Sequence, residues 1–188
     1  MERKNLIEFF TEVMKLKKVK RSGWIVSGVK DVESVADHSF MTTLMTLILG
    51  KNRNIDLNKA LKMAIIHDIA ECKIGDIITW KNYHKPEKEK KEMEEKEMTE
   101  LLSSLGPEGK EYLDIWEEYE KMETPESKFV QSIDKFEMVL QALEYEKVEK
   151  NLNKLFETFF EDGAEGIIDK DVLEMFNLIL SLRKNKFE

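Results

Sequence analysis

The chain has 188 residues, a length that allows one domain with a substantial core. Its formal net charge of -8 argues against binding to a nucleic-acid polymer, because polyanions are attracted to basic surfaces. A single cysteine excludes an internal disulfide, and the longest apolar runs fall short of the roughly 20 residues that span a bilayer. The N-terminus is charged throughout and lacks the apolar centre of a signal peptide, so we expect a cytoplasmic protein that does not bind membranes.

The composition favours an all-α protein. Charged residues make up 36% of the chain and are mostly Glu and Lys, which populate solvated helix faces, whereas only 8 Gly and 3 Pro are present. No repeat, linker or strand-like alternation interrupts the helical periodicity. We therefore expect residues 1–188 to form a single domain, with the last helix completing a helical bundle.

Helical periodicity begins near the N-terminus. Apolar side chains at helical spacing predict a first helix over about residues 3–18. The segment 21–34 contains two glycines and little periodicity, and we expect a loop there. Ser34 is a suitable N-cap for the next helix, which ends at Gly50.

The middle of the chain is predicted to hold two further helices. One covers residues 55–75, with Asp56 or Asn58 near its start and Gly75 near its end. The other covers residues 85–106 and begins with Lys and Glu spaced three or four residues apart. This pattern favours a solvated helix that leads into a packed one over a binding tail.

The C-terminal part is also predicted to be helical. A short helix is expected over residues 108–122, and Thr124 followed by Pro125 marks the start of a long one. Asp169 can cap the last helix, which has a clear apolar face.

Ionisable side chains occur where the pattern predicts burial. The apolar segment Ala64–Asp76 contains His67, Asp68 and Glu71. Desolvating a charge costs several kcal/mol unless the charge is paired or bound to a metal. On a continuous helix His67 and Glu71 share one face and Asp68 lies one step round, so all three can line one concave site.

His38 and Asp134 lie at the edges of apolar faces on two other predicted helices. Each alone has an ordinary explanation, since a buried histidine is usually just hydrogen-bonded and an aspartate can cap a helix or pair with Lys. Together with His67 and Asp68 they are better explained by a divalent metal, which stabilises carboxylates as anions and keeps imidazoles neutral.

The predicted site suits one divalent transition metal. Mixed nitrogen and oxygen donors favour Mn, Co, Fe, Ni or Zn over Mg or Ca. Only three histidines are present, which is too few for a His-rich two-metal site. Water held on such an ion is acidic enough to supply hydroxide near neutral pH.

Four sequence segments occur in a characteristic order: RSGW, ESVADHS, HDIAECKIGDI and DKFEM. With them, the chain resembles the HD-domain metal-dependent phosphohydrolases, and among these the YfbR-like 5'-deoxynucleotidases, over about residues 5–150. The resemblance implies a helical HD-domain bundle that removes phosphate from (deoxy)nucleoside 5'-monophosphates, with a metal-bound water attacking the phosphorus. It also implies a small nucleotide as the substrate, and it suggests a homodimer.

The resemblance assigns roles to individual residues. Glu71 would act as general acid or base, and Asp76 would be a second catalytic residue. Arg21 would bind the substrate phosphate, and Trp24 would lie against the nucleoside. The implied metal ligands are the same residues that the burial pattern selects: His38, His67, Asp68 and Asp134.

The segment after the GDI motif follows the family pattern only in part. Thr79 is retained, but the following loop departs from the pattern and contains His84. A single histidine in a polar, charged loop is expected to be exposed to solvent, so His84 is not included in the predicted site.

Two alternative functions stay open at this point. The first is hydrolysis of another phosphoester, such as a cyclic nucleotide or a nucleoside triphosphate. The second is a non-catalytic, metal-containing module that binds a nucleotide. The presence of Glu71 and Asp76 beside a full set of ligands argues against the second, because a structural metal site needs no additional carboxylate.

Overall fold

The computed structural model describes residues 3–79, 86–149 and 151–184. These residues form α-helices and two 3-10 helices, at Met14–Lys17 and Lys154–Glu157. The described part of the chain contains no β-strand, apart from one isolated antiparallel bridge between Lys20 and Ser34. The prediction of an all-α fold is therefore confirmed. The helices are α1 Arg3–Val13, α2 Ser22–Ser27, α3 Val35–Gly50, α4 Leu57–Ile66, α5 Glu71–Ile74, α6 Glu87–Ser103, α7 Pro107–Lys121, α8 Pro125–Val148, α9 Thr158–Gly166 and α10 Lys170–Lys184.

Helix α8 forms the centre of the fold. It packs against α3, α4, α7, α9 and α10, and many of its side chains are buried. Its start agrees with the sequence prediction, because the Thr124 side chain accepts a hydrogen bond from the Ser127 amide and Pro125 occupies the first turn. A helix that is buried on most sides can hold polar residues in fixed positions, and Asp134 and Glu137 are both held in this way.

Three other predicted N-caps are confirmed. Ser34 and Asp37 form a reciprocal capping box at the start of α3. The Asp56 carboxylate accepts from the Lys59 amide at 3.0 Å and begins α4. At the last helix, Asp169 Oδ1 accepts from the Val172 amide at 3.1 Å.

The N-terminal prediction needs two corrections. The first helix ends at Val13 and continues as a 3-10 turn. The segment 21–34, expected to be a loop, contains the short helix α2, which ends at Gly28 with φ of +93°. A helix of this length is not stable alone. It forms here because Trp24 and Ser27 are buried in contact with the C-terminal part of the fold.

The third predicted helix is divided. Helix α4 ends at Ile66, residues 67–70 form a turn, and α5 follows at Glu71. Helix α9, which the sequence analysis did not identify, packs against α8 and brings Phe159 to the central site. None of the described helices is both long enough and apolar enough to cross a membrane.

Candidate metal centre

The turn between α4 and α5 shapes the site. The His67 amide makes the last helical bond, to Met63. Further along, amides bond to the carbonyl oxygen three residues earlier. The Ile69 amide donates to the Ile66 carbonyl, and the Glu71 amide donates to the Asp68 carbonyl. Three residues complete a turn in this tighter geometry, so Asp68 and Glu71 come to the same side. The sequence analysis predicted a continuous helix with His67, Asp68 and Glu71 lining one site, and all three residues do line the same cleft.

The residues predicted as metal ligands lie together. His38 Nε2 is 3.3 Å from His67 Nε2 and 3.0 Å from Asp134 Oδ1. Asp68 Oδ2 lies 3.2 Å from His67 Nε2 and 3.8 Å from His38 Nε2. His38, His67 and Asp134 are all buried. Helices α3 and α8 and the turn after α4 thus direct their nitrogen and oxygen donors at one point.

The other nitrogen of each imidazole is already engaged. His67 Nδ1 lies 2.8 Å from the Ala64 carbonyl oxygen, and His38 Nδ1 lies 2.5 Å from Glu137 Oε2. A carbonyl or carboxylate oxygen accepts the hydrogen bond in such a contact, so each Nδ1 is the donor and carries the proton. In neutral imidazoles the two Nε2 lone pairs then face each other, an arrangement that is stable only with a proton or cation between them.

The spacing of the donors fits a metal ion. Two donors each about 2.1 Å from an ion are separated by about 3.0 Å at a right angle and by about 3.4 Å at the tetrahedral angle. The distances from His38 Nε2 to Asp134 and to His67 are 3.0 Å and 3.3 Å. The residues present therefore fit a divalent cation.

Electrostatics at the centre reflect the concentration of carboxylates. Burial and Arg21 favour the neutral form of His38, but Glu137 and Asp134 outweigh them and raise the pKa of His38 to about 10. A cation placed among these groups would replace the positive charge of that proton.

Glu71 is the buried acid of the site. Its side chain is 1% exposed, and its Oε2 has no hydrogen-bond partner among the residues that the structure describes. Burial and the carboxylates of Asp68 and Asp76 raise the pKa of Glu71 well above its usual range. A carboxyl that holds its proton more strongly than usual is suited to proton transfer near neutral pH.

The centre opens into a cleft with a volume of about 270 Å³. Arg21 Nη1 reaches into it and lies 3.3 Å from Asp68 Oδ2 and 4.0 Å from Asp76 Oδ1. Asp76 also accepts a hydrogen bond from the Ser22 amide at the start of α2. Asp76 thereby fixes the segment that carries Arg21. Thr79 also lines the cleft.

Trp24 lies at the wall of the cleft but is 1% exposed. Its ring stacks on Phe159 with centroids 3.6 Å apart, and its Nε1 donates to Glu33 Oε1 at 2.8 Å. Both the ring face and the donor have partners within the protein. Contact between Trp24 and a nucleoside stays a prediction.

The sequence analysis did not identify two residues near the centre. Lys90 of α6 lines the cleft, although its Lys- and Glu-rich segment was interpreted as solvated. A charge-rich run contains no signal that separates one lysine from the next. Glu137 contacts His38, and its position three residues after Asp134 on α8 places the two on one face, a spacing that could have revealed it. His84 lies outside the described residues.

The all-helical fold and the His/Asp donor cluster define a class of metal-dependent helical proteins, and comparison identifies it. The chain belongs to the HD domain family, whose model matches residues 13–175. It is 38% identical over 182 residues to a protein named 5'-deoxynucleotidase HDDC2 from Xenopus laevis, a match that covers 97% of this chain and 89% of that protein.

Other relatives agree with this assignment. A 5'-deoxynucleotidase HDDC2 from Dictyostelium discoideum is 40% identical over 170 residues, with 86% of this chain and 89% of that protein covered. Among solved structures, a conserved hypothetical protein from Pyrococcus furiosus superposes with a TM-score of 0.75 at 34% identity. That match covers 93% of this chain and 99% of the other.

Proposed function

We propose that the chain is a metal-dependent phosphohydrolase that removes phosphate from nucleoside 5'-monophosphates, in particular deoxynucleotides. The relatives named 5'-deoxynucleotidase, which match most of this chain, support this substrate class. The observation that carries the proposal is the opposed pair of imidazole nitrogens, 3.3 Å apart and flanked by carboxylates, at the base of a cleft that contains an arginine.

Four residues would hold one divalent transition ion, and their mixed donors suit Mn, Co, Fe, Ni or Zn. When bound, such an ion lowers the pKa of water and neutralises charge on phosphoryl oxygens. The proposed ligands are His38, His67, Asp68 and Asp134.

Glu71 would exchange a proton with the attacking water or the leaving alkoxide. Its burial supports this role, because it raises the pKa of the carboxyl group. Asp76 would act by holding Arg21 and the Ser22 amide in position beside the centre. Arg21 would donate hydrogen bonds to the phosphate, for which the planar guanidinium is suited.

Lys90 would supply a second positive charge for the phosphate. Its Nζ lies 3.3 Å from Glu94 Oε1, and its side chain is 23% exposed within the cleft. The cleft is lined by more carboxylates than lysine and arginine side chains, so a dianionic phosphate that enters it needs cations in addition to the metal. Arg21 is shared with Asp68 and Asp76. Of the three lysines that line the cleft, Lys90 is the least exposed, at 23% against 37% for Lys135 and 55% for Lys91, so we assign Lys90 to substrate binding.

A homodimer would form through the exposed apolar surface of α3. Five apolar side chains follow one face of this helix at helical spacing and are at least 36% exposed. An apolar stripe of this length is suited to packing against the same stripe of a second copy of the chain. The stripe consists of Phe40, Met41, Leu44, Leu47 and Ile48.

Three further expectations stay predictions. They are the cytoplasmic location, the absence of binding to nucleic-acid polymers, and the extent of a single HD domain over residues 1–188.

Phosphate release from a panel of nucleotides tests the proposed function. Nucleoside 5'-monophosphates, 3'-monophosphates and triphosphates would each be incubated after chelation and again with Mn, Co, Mg or Zn added. We expect metal-dependent release from 5'-monophosphates, faster for the deoxy forms. Release confined to triphosphates would show that the substrate class is different from the one proposed. A protein that binds the ion tightly but releases no phosphate would instead be a binding module.

A further inference from the structure

A buried carboxylate lies directly behind the proposed metal ligand His38. Glu137 Oε2 is 2.5 Å from His38 Nδ1, on the side of the ring opposite to the donor cluster. Glu137 is 2% exposed and His38 is fully buried. The two residues come from different helices, α8 and α3, so their contact depends on how these helices pack.

We propose that Glu137 is a positioning residue that fixes both the orientation and the tautomer of His38. The inference rests on the proposed metal-binding role of His38. The Glu137 oxygen accepts the hydrogen bond from Nδ1–H, and this contact leaves Nε2 as the donor atom directed toward Asp134 and His67.

The short contact excludes an ion on the Glu137 side of the ring. Glu33, His38 and Glu137 also bring possible metal-binding atoms within 4.8 Å of one another. Two ligands of one ion stand about 3.0 Å apart or more, because each lies about 2.1 Å from the metal. At 2.5 Å, His38 Nδ1 and Glu137 share a hydrogen bond, and an ion does not fit between them.

The groups around Glu137 restrain its environment in turn. Glu33 Oε1 accepts from Trp24 Nε1 at 2.8 Å, and the Glu33 amide donates to Tyr145 Oη at 2.8 Å. These two hydrogen bonds restrain Glu33, whose carboxylate lies within 4.8 Å of His38 and Glu137. Trp24 is linked to the metal centre through this arrangement, even though its own ring faces Phe159.

The matched variants for a test are Glu137→Gln and Glu126→Gln. Both glutamates are buried on α8, but Glu126 accepts from the Asp56 amide and lies away from the cleft. Zn²⁺ affinity of the full-length chain would be measured by competition with a chromophoric chelator. The imidazole ¹H–¹⁵N spectrum of the Zn²⁺-loaded protein would report the tautomer, and the chain has only three histidines.

We expect the Zn²⁺ dissociation constant to rise roughly 10- to 100-fold in Glu137→Gln and to stay unchanged in Glu126→Gln. In the wild-type spectrum His38 should show a protected Nδ1–H and a metal-bound Nε2. That signal should shift or lose its protection in Glu137→Gln. A purely structural role would lower the melting temperature of both variants without moving this signal.

The inference would be overturned if Glu137→Gln bound Zn²⁺ with the wild-type affinity. It would also be overturned if the wild-type spectrum showed Zn²⁺ bound to Nδ1 of His38. Either result would leave the proposed function intact. Should Glu137→Gln fail to fold, the wild-type spectrum alone decides the tautomer. A wild-type chain that binds neither Zn²⁺ nor Mn²⁺ would overturn the metal mechanism and this inference together.

Discussion

Asp68 contacts both a histidine of the candidate metal centre and the arginine of the cleft. Its Oδ2 lies 3.2 Å from His67 Nε2 and 3.3 Å from Arg21 Nη1. Burial would raise the pKa of Asp68, but the charges on His67 and Arg21 outweigh this effect and hold the pKa below its usual range. An ionised carboxylate in this position can hold both the metal and the arginine that we assign to the phosphate.

Replacing Asp68 should remove the metal. In Asp68→Ala the centre loses one anionic donor, so we expect phosphate release to fall below detection. The melting temperature should no longer rise when metal is added, whereas in the wild type saturation at 100 times the dissociation constant contributes about 2.7 kcal/mol. Calorimetry with and without added Mn²⁺ measures this. Near-normal turnover in the variant would contradict the metal mechanism.

Replacing Glu71 should separate chemistry from binding. Glu71→Gln keeps the shape of the side chain but cannot transfer the proton. We expect kcat to fall by roughly 10²-fold or more, with metal content and KM near the wild-type values. Steady-state kinetics and metal analysis of the purified variant provide the measurement. Unchanged kcat would remove the acid–base role of this residue.

At the scale of helices, α6 and α8 contribute to the site in different ways. Helix α8 is buried and presents Asp134 and Glu137 from a rigid position. Helix α6 carries a mostly solvated run of Lys and Glu, yet it turns Lys90 toward the cleft. Helix α8 can fix the geometry of the proposed ligands, and helix α6 can tune the affinity for an anionic substrate.

Removing the Lys90 charge should weaken substrate binding. In Lys90→Met we expect KM for a 5'-monophosphate to rise roughly tenfold, because a hydrogen bond to a charged group contributes about 1.5–3 kcal/mol. The matched control is Lys88→Met on the same helix, whose side chain is 87% exposed. Equal KM values for both variants would show that Lys90 does not contact the substrate.

The start of α8 should show a pH-dependent contribution to stability. Burial alone would raise the pKa of Glu126, but its hydrogen bond from the Asp56 amide and the nearby Lys59 lower it below 4.5. The contribution is therefore present above the unfolded pKa and is lost as the pH falls through the lower folded pKa. We expect Glu126→Gln to lose about 1–2 kcal/mol of unfolding free energy at pH 7 and less at pH 3. Urea denaturation at both pH values tests this, and a difference independent of pH would contradict it.

At the scale of the whole molecule, polar and apolar surfaces are segregated. The carboxylates and cations of the centre face the cleft, whereas the exposed apolar stripe of α3 faces outward. His38 lies on the buried side of that same helix. A partner docked on the stripe would therefore pack against the helix that carries the proposed metal ligand His38.

A charge in the stripe should disrupt the proposed dimer. Phe40 is 66% exposed, so Phe40→Asp should fold normally but place a carboxylate in the interface. Light scattering should give twice the chain mass of 22.1 kDa for the wild type and the single mass for the variant. Val148→Asp, at another exposed apolar position, is the control. A monomeric wild type would refute the dimer.

The sequence by itself determined most of the long helices and the donor residues of the candidate metal centre. Caps such as Ser34 and Thr124 act on amides within three residues, so local sequence is enough to place these starts. The convergence of His38, His67, Asp68 and Asp134 could be predicted because each is an ionisable group at the edge of an apolar face. Such a group has to be compensated when its face is buried.

Only the tertiary structure decided the remaining features. The short helices α2 and α9 are too short to be stable alone and form through packing. The tight turn at residues 67–70 interrupts the helix that the sequence predicted to be continuous, and His67, Asp68 and Glu71 all line one cleft. The roles of Lys90 and Glu137 depend on where α6 and α8 meet the other helices. Local sequence pattern predicts which face of a helix is buried, but contacts between residues tens of positions apart are set by how the helices pack.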